Sequence, residues 1–63
     1  MKLMLEMDLE NGAFEHHRNH EVARILRGLE RRLTVEPAVN PGDRFPLLDI
    51  NGNRVGTAWV ESP

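Results

Sequence analysis

The sequence contains no cysteine and no tyrosine, and its only aromatic rings apart from histidine are two phenylalanines and one tryptophan. Without thiols, neither a disulfide nor a thiolate metal site can brace the fold. So few rings leave little for stacking on nucleic-acid bases. No apolar run approaches the roughly 20 residues needed to span a bilayer. The opening MKLMLEMDLE alternates acids with hydrophobes, which is not the pattern of a secretory leader. These absences predict a soluble chain of the reducing cytoplasm. Excess charge of either sign is lacking too: the net charge of −2 singles out no polymeric partner. Nucleophiles are scarce. Ser62 lies at the C-terminal end, Thr34 and Thr57 have no histidine beside them, and no glycine-rich phosphate loop follows a strand pattern. An enzyme is not expected.

What is there is ordered by charge and by period. Residues 1–15 carry Glu6, Asp8, Glu10 and Glu15 against Lys2, whereas residues 16–32 carry five arginines against Glu21 and Glu30. In KLMLEMDLE, Leu3, Leu5, Met7 and Leu9 recur at period two opposite Lys2, Met4, Glu6, Asp8 and Glu10, which predicts a half-buried strand over about residues 2–10. Asn11-Gly12 breaks it. From Asn19 to Leu33 the period lengthens. Val22, Ile25, Leu26, Leu29 and Leu33 form the stripe of an amphipathic helix, with Asn19 as its expected N-cap. Gly28 within it suggests close approach to a strand. Residues 34–43, with two prolines and a glycine, form a connecting loop.

Residues 44–60 contain two short β-rich runs around Asn51-Gly52. That dipeptide marks a tight hairpin whose two turn positions take positive φ. Pro46, lacking an N–H, places its strand at a sheet edge. The chain is thus expected to be one small α+β domain over residues 1–63. Its order is strand, helix, strand, strand, with sheet order 1-3-2 and the helix on one face.

The same hairpin contains Asp49, Asn51 and Asn53 at the alternate spacing that opens a calcium loop. Such a loop needs glycine at its sixth position and a bidentate Glu at its twelfth. Here Arg54 and Val60 occupy those places, so a turn is expected, with Asp49 facing Arg54 across the strands. The cluster Glu15-His16-His17-Arg18-Asn19-His20 offers helical ligand spacing. For the third ligand a catalytic zinc needs, only Glu15 or Glu21 is near; the HExxH arrangement is missing, and Arg18 opposes a cation. No metal and no cofactor are expected.

Two surfaces remain as candidates for binding. On the helix exterior, His20, Arg24, Arg27 and Arg31 fall on one side and could follow a phosphate backbone. In the hairpin, alternation divides Leu48, Ile50, Val55, Thr57 and Trp59 from Phe45, Leu47, Asp49, Gly56, Ala58 and Val60. A single helix covers a single face. The Leu48–Trp59 side is assigned to the core with Leu3, Leu5, Met7 and Leu9. Phe45, Leu47, Ala58 and Val60 are then expected to face outward near Met4, beside Glu6, Asp8 and Glu10, as a partner-binding patch. A homodimer burying that patch is the alternative, and an uncovered sheet edge offers a second route to pairing.

The stretches MKLMLEMDLENGAF, EVARILRGLERRL and LLDINGNRVGTAWV together resemble short proteins of bacteriophages and prophages, over almost the whole length. In that group a strand ending near Asn-x-Ala-Phe precedes an EVARILR-type helix, and a D-x-N-G-N-x-V-G hairpin closes the chain. The resemblance implies the fold above and a bacterial host cell as setting, with no catalytic residue carried over. By analogy in size and acidity it points to stoichiometric inhibitors of host complexes. CRISPR-Cas effectors and other defence nucleases would be the partners, with Glu6, Asp8 and Glu10 approaching their basic surfaces. A nucleic-acid-binding regulator is the competing expectation.

Overall fold

A computed structural model describes residues 1–63. Strand β1 (Lys2–Met7) is followed by a single 3-10 turn (Gly12–Phe14), helix α1 (Arg18–Val35), and strands β2 (Arg44–Leu48) and β3 (Arg54–Glu61). The three strands form one antiparallel sheet of order β1-β3-β2, with α1 on one face, the α+β arrangement expected from the sequence. No helix is long and apolar enough to cross a membrane.

The boundaries differ where side chains compete with the ladder. β1 stops at Met7 instead of continuing to Glu10. The Asp8 N–H still bonds to the Val55 carbonyl at 2.8 Å, but the Asp8 carboxylate accepts the Glu10 N–H at 3.0 Å and turns the chain. Asn11 then caps the 3-10 turn by accepting from the Ala13 N–H, which drives Phe14 into the core. Phe14 is 1% exposed and one of the two largest fully buried side chains. Helix α1 begins one residue before Asn19, so Asn19 does not cap it. The cap position is His17, which takes a left-handed φ of 54° and makes no side-chain capping bond.

The hairpin is wider than a two-residue turn. Residues 49–53 form the loop, with the Gly52 N–H bonded to the Asp49 carbonyl at 3.0 Å. Of its residues only Gly52 has positive φ, at 84°. Asn51 therefore does not take the mirror-image turn geometry that Asn-Gly suggested. The register slips beside the loop: Leu47 pairs with Gly56 and Leu48 with Arg54, leaving Val55 as the extra residue of a β-bulge.

The pairing of β1 with β3 reverses the expected faces. Leu5, Ala58 and Phe45 stand in one row across the sheet, and Met7, Gly56 and Leu47 in the next. Directly opposed residues share a face. The β1 leucines therefore belong with Phe45 and Leu47 and not with Leu48 and Trp59. Phe45, Leu47 and Ala58 are buried in one cluster with Ile25, Leu29 and Phe14, and Val60 is buried as well, while Leu48 and Ile50 face outward. The partner-binding patch expected at Phe45, Leu47, Ala58 and Val60 is the protein's core. Ile50 adds apolar weight to the other set in the sequence, but it lies in the loop, outside either strand. Val55 reaches the core because the bulge turns it inward.

Gly56 is required by this packing. A Cβ there would lie 1.9 Å from the Glu6 carbonyl oxygen. Gly28, by contrast, has open space on its side, so the close approach to a strand expected for it does not occur.

Candidate interaction surface

The helix leaves one face of the sheet bare. Trp59 lies at the middle of that face, with Met4 opposite it on β1 and Arg44 opposite it on β2. The next row is Glu6, Thr57 and Pro46, and Lys2 pairs with Glu61 at the other side. The Trp59 indole N–H donates to the Glu61 carboxylate at 3.0 Å, which fixes the ring on the surface. Arg54 donates to the Thr57 hydroxyl. The face is thus acidic toward Glu6, Asp8 and Glu10 and basic toward Arg44 and Arg54, with an aromatic between. Met4 and Glu6, expected on the interaction side, are exposed there, and Asp8 and Glu10 are exposed where the chain leaves β1.

The helix exterior is less basic than its sequence suggests. His20, Arg27 and Arg31 are exposed. Arg24 is committed: it holds the nearly buried Glu21 carboxylate at 2.8 and 3.2 Å and donates to the Leu48 carbonyl at 3.1 Å. Arg32, on the flank beside β2, donates to the Pro46 carbonyl and lies over the Phe45 ring at 5.9 Å. An open cleft of about 270 Å³ lies along one side of the α1–β2 contact, lined by these two arginines with Ile25, Gly28 and Leu47. His17 and His20 stack with centroids 5.5 Å apart, and no three metal-ligating side chains converge.

The two buried carboxylates serve the loop. Asp49 does not meet Arg54. Its oxygens accept the N–H groups of Asn51 and Asn53 at 2.9 and 2.8 Å and the Asn11 amide at 2.8 Å, so the hairpin loop is tied to the 3-10 turn. Burial pushes the Asp49 carboxyl up, but these donors outweigh it and hold it below its ordinary value. Glu21 accepts the Ile50 N–H at 2.9 Å as well as Arg24. The Arg24 guanidinium holds its carboxyl below the usual range despite burial, and Glu21 in turn raises Arg24. Of the alternating oxygens that resembled a calcium loop, the Asp49 carboxylate is thereby taken up by protein donors.

Sequence reasoning missed Phe14, Trp59 as a surface residue, and the Asn11–Asp49 bond. The first had a signal, since Asn-x-Ala-Phe places an apolar side chain just after a capped turn. The bond spans 38 positions and had none. Searches of family models, curated proteins and solved structures returned no match, so the fold and this surface rest on the geometry alone.

Proposed function

We propose that this chain is a non-enzymatic binding protein that acts through the open sheet face. The observation that carries the reading is Trp59, held at the centre of a face with no helix over it and flanked by Met4 and Arg44. Tryptophan, methionine and arginine are the side chains enriched where proteins meet. The resemblance to short phage proteins supplies the class of partner, a host macromolecular complex such as a CRISPR-Cas effector or another defence nuclease in the bacterial cytoplasm. Glu6, Asp8 and Glu10 would meet the Lys- and Arg-rich surface such a complex uses for nucleic acid, through charge complementarity.

The test is inhibition of a purified defence nuclease, read by substrate cleavage, with wild-type protein, Trp59→Ala and the triple reversal Glu6→Lys/Asp8→Lys/Glu10→Lys. Circular dichroism confirms that each variant is folded. Loss of inhibition in both variants supports the reading. Inhibition that survives both would move the binding surface elsewhere, and inactivity of the wild type across nuclease classes would reject the inhibitor role.

A further inference from the structure

The sheet has two edges, and the fold treats them differently. On β3 the Val60 N–H donates to Asp43, so residues of that parity bond toward β2. The alternating residues Val55, Thr57, Trp59 and Glu61 bond toward β1, as Asp8 to Val55 shows. It follows that Arg44, Pro46 and Leu48 on β2 point their main-chain groups outward. That edge is blocked. Pro46 has no N–H, and the carbonyls of Pro46 and Leu48 are taken by Arg32 and Arg24. On β1 the outward groups belong to Leu3, Leu5 and Met7, and no main-chain or side-chain hydrogen bond reaches them from outside the sheet.

The apolar cover is just as uneven. Helix α1 packs along β2 and makes no comparable contact with β1. Leu3 and Leu5 share the core face with Val60 and Ala58, yet they are 52% and 43% exposed, whereas those partners are buried. Leu26, on the helix flank turned away from β2, is also exposed. An aliphatic strip therefore lies beside an unpaired strand edge.

We propose that a second copy of this chain occupies this edge, with β1 pairing antiparallel to its counterpart to make a continuous six-stranded sheet. Charge complementarity selects the copy and the register. Leu3 bonds with Leu5 of the other chain, which brings the strips together on the helix side. On the opposite face Lys2 then stands against Glu6 of the other chain, twice by symmetry, with the two Met4 side chains meeting at the axis. Sliding the pairing by two residues in one direction sets Lys2 against Met4. In the other direction it sets Met4 against Glu6 and carries Lys2 past the end of β1, opposite Asp8, whose carboxylate already accepts the Glu10 N–H, and it sets Leu3 against Met7. Only the stated register pairs both lysines with both Glu6 carboxylates and places every leucine against a leucine. The contact is isologous and closes as a dimer, because the β2 edges left at its ends are blocked.

Sedimentation of purified protein between about 10 μM and about 1 mM measures the equilibrium. Leu5→Pro removes an outward N–H at an edge position that tolerates proline, and it should leave a folded monomer. Lys2→Glu places like charges opposite each other at both sites, as does Glu6→Lys. Each alone should weaken the dimer about tenfold. When the two variants are mixed, their substituted positions meet across the axis as opposite charges, and the unaltered Glu6 of one meets the unaltered Lys2 of the other. A heterodimer should therefore form with near wild-type affinity, read by native mass spectrometry. A wild-type chain that stays monomeric throughout the range would overturn the proposal. So would a dimer that persists in folded Leu5→Pro, or the absence of recovery on mixing. The readout uses no other protein, so its failure is distinct from failure of the inhibitor reading.

Discussion

Leu47 and Leu48 are consecutive on β2, chemically identical, and 1% and 47% exposed. Truncating each to alanine in turn tests which face of the sheet is the core. Removing a fully buried leucine side chain forfeits its transfer free energy and leaves a cavity, about 2–5 kcal/mol together. A chain of 63 residues has a total stability of only about 3–9 kcal/mol at the usual per-residue scale. Leu47→Ala should therefore remove a large share of it, lowering the melting temperature by about 8–40 °C, given about 4–8 °C per kcal/mol for a domain of this size. Leu48 is half solvated and borders the cleft beside α1, so Leu48→Ala should cost under about 1 kcal/mol. Urea titrations followed by circular dichroism give both values, with the slope expected to stay constant while the midpoint moves. Equal losses, or a larger loss at Leu48, would mean that the opposite face is buried. The outward placement of Trp59 would then fall, together with the interaction surface built on it.

Four other outcomes follow from the same geometry. Gly28→Ala should stabilise the chain by up to about 1 kcal/mol, because the added methyl meets nothing and the helix gains propensity. Gly56→Ala should cost at least about 1–3 kcal/mol, because the methyl meets main-chain atoms of β1; thermal melts of the pair read both signs. Asn11→Ala removes the cap of the 3-10 turn and the amide donor to Asp49, a loss of about 1–2 kcal/mol by urea titration. Glu21 and Asp49 both titrate lower folded than unfolded, so the unfolded chain binds more protons in acid. The stability they contribute is complete above their ordinary values of 4.5 and 3.8 and is lost as pH falls through the lowered folded values. Glu21→Gln should flatten that acid limb in urea midpoints measured from about pH 7 to about pH 2.

The element order was legible because each element announces itself locally: period two in Leu3–Leu9, period 3.6 in Val22–Leu33, and Asn-Gly between two β-rich runs. Which face the helix covers was not legible. Alternation gives two sets of residues, and the choice between them turns on cross-strand register. The register that decides is that of β1 against β3, which sets Leu5 opposite Ala58 and Met7 opposite Gly56, a long-range pairing with no local signal in the sequence. A one-residue difference inverts every side chain beyond it. Ile50 lies outside either strand and Val55 is turned inward, and the set with Phe45, Leu47, Ala58 and Val60 is the one α1 covers. Of the candidate surface, Met4 and the acids Glu6, Asp8 and Glu10 were legible as the polar phase of the first strand. Trp59 was not, since a lone tryptophan is ordinarily assigned to a core.

The arginines show why the basic helix pattern misled and the free edge lies at β1. In sequence, Arg24 belongs to a row with His20, Arg27 and Arg31, and Arg32 sits beside it. In the fold, Arg24 and Arg32 reach across to β2, where each donates to an outward carbonyl. Arg24 also neutralises Glu21, whose other oxygen holds the Ile50 N–H at the start of the loop. One group of side chains thus caps a strand edge, compensates a buried carboxylate and positions the hairpin loop. A helix placed to do this at β2 lies too far over to shelter Leu3 and Leu5. The exposed strip at β1 is the geometric consequence of closing β2, and any partner that completes the sheet has to add there.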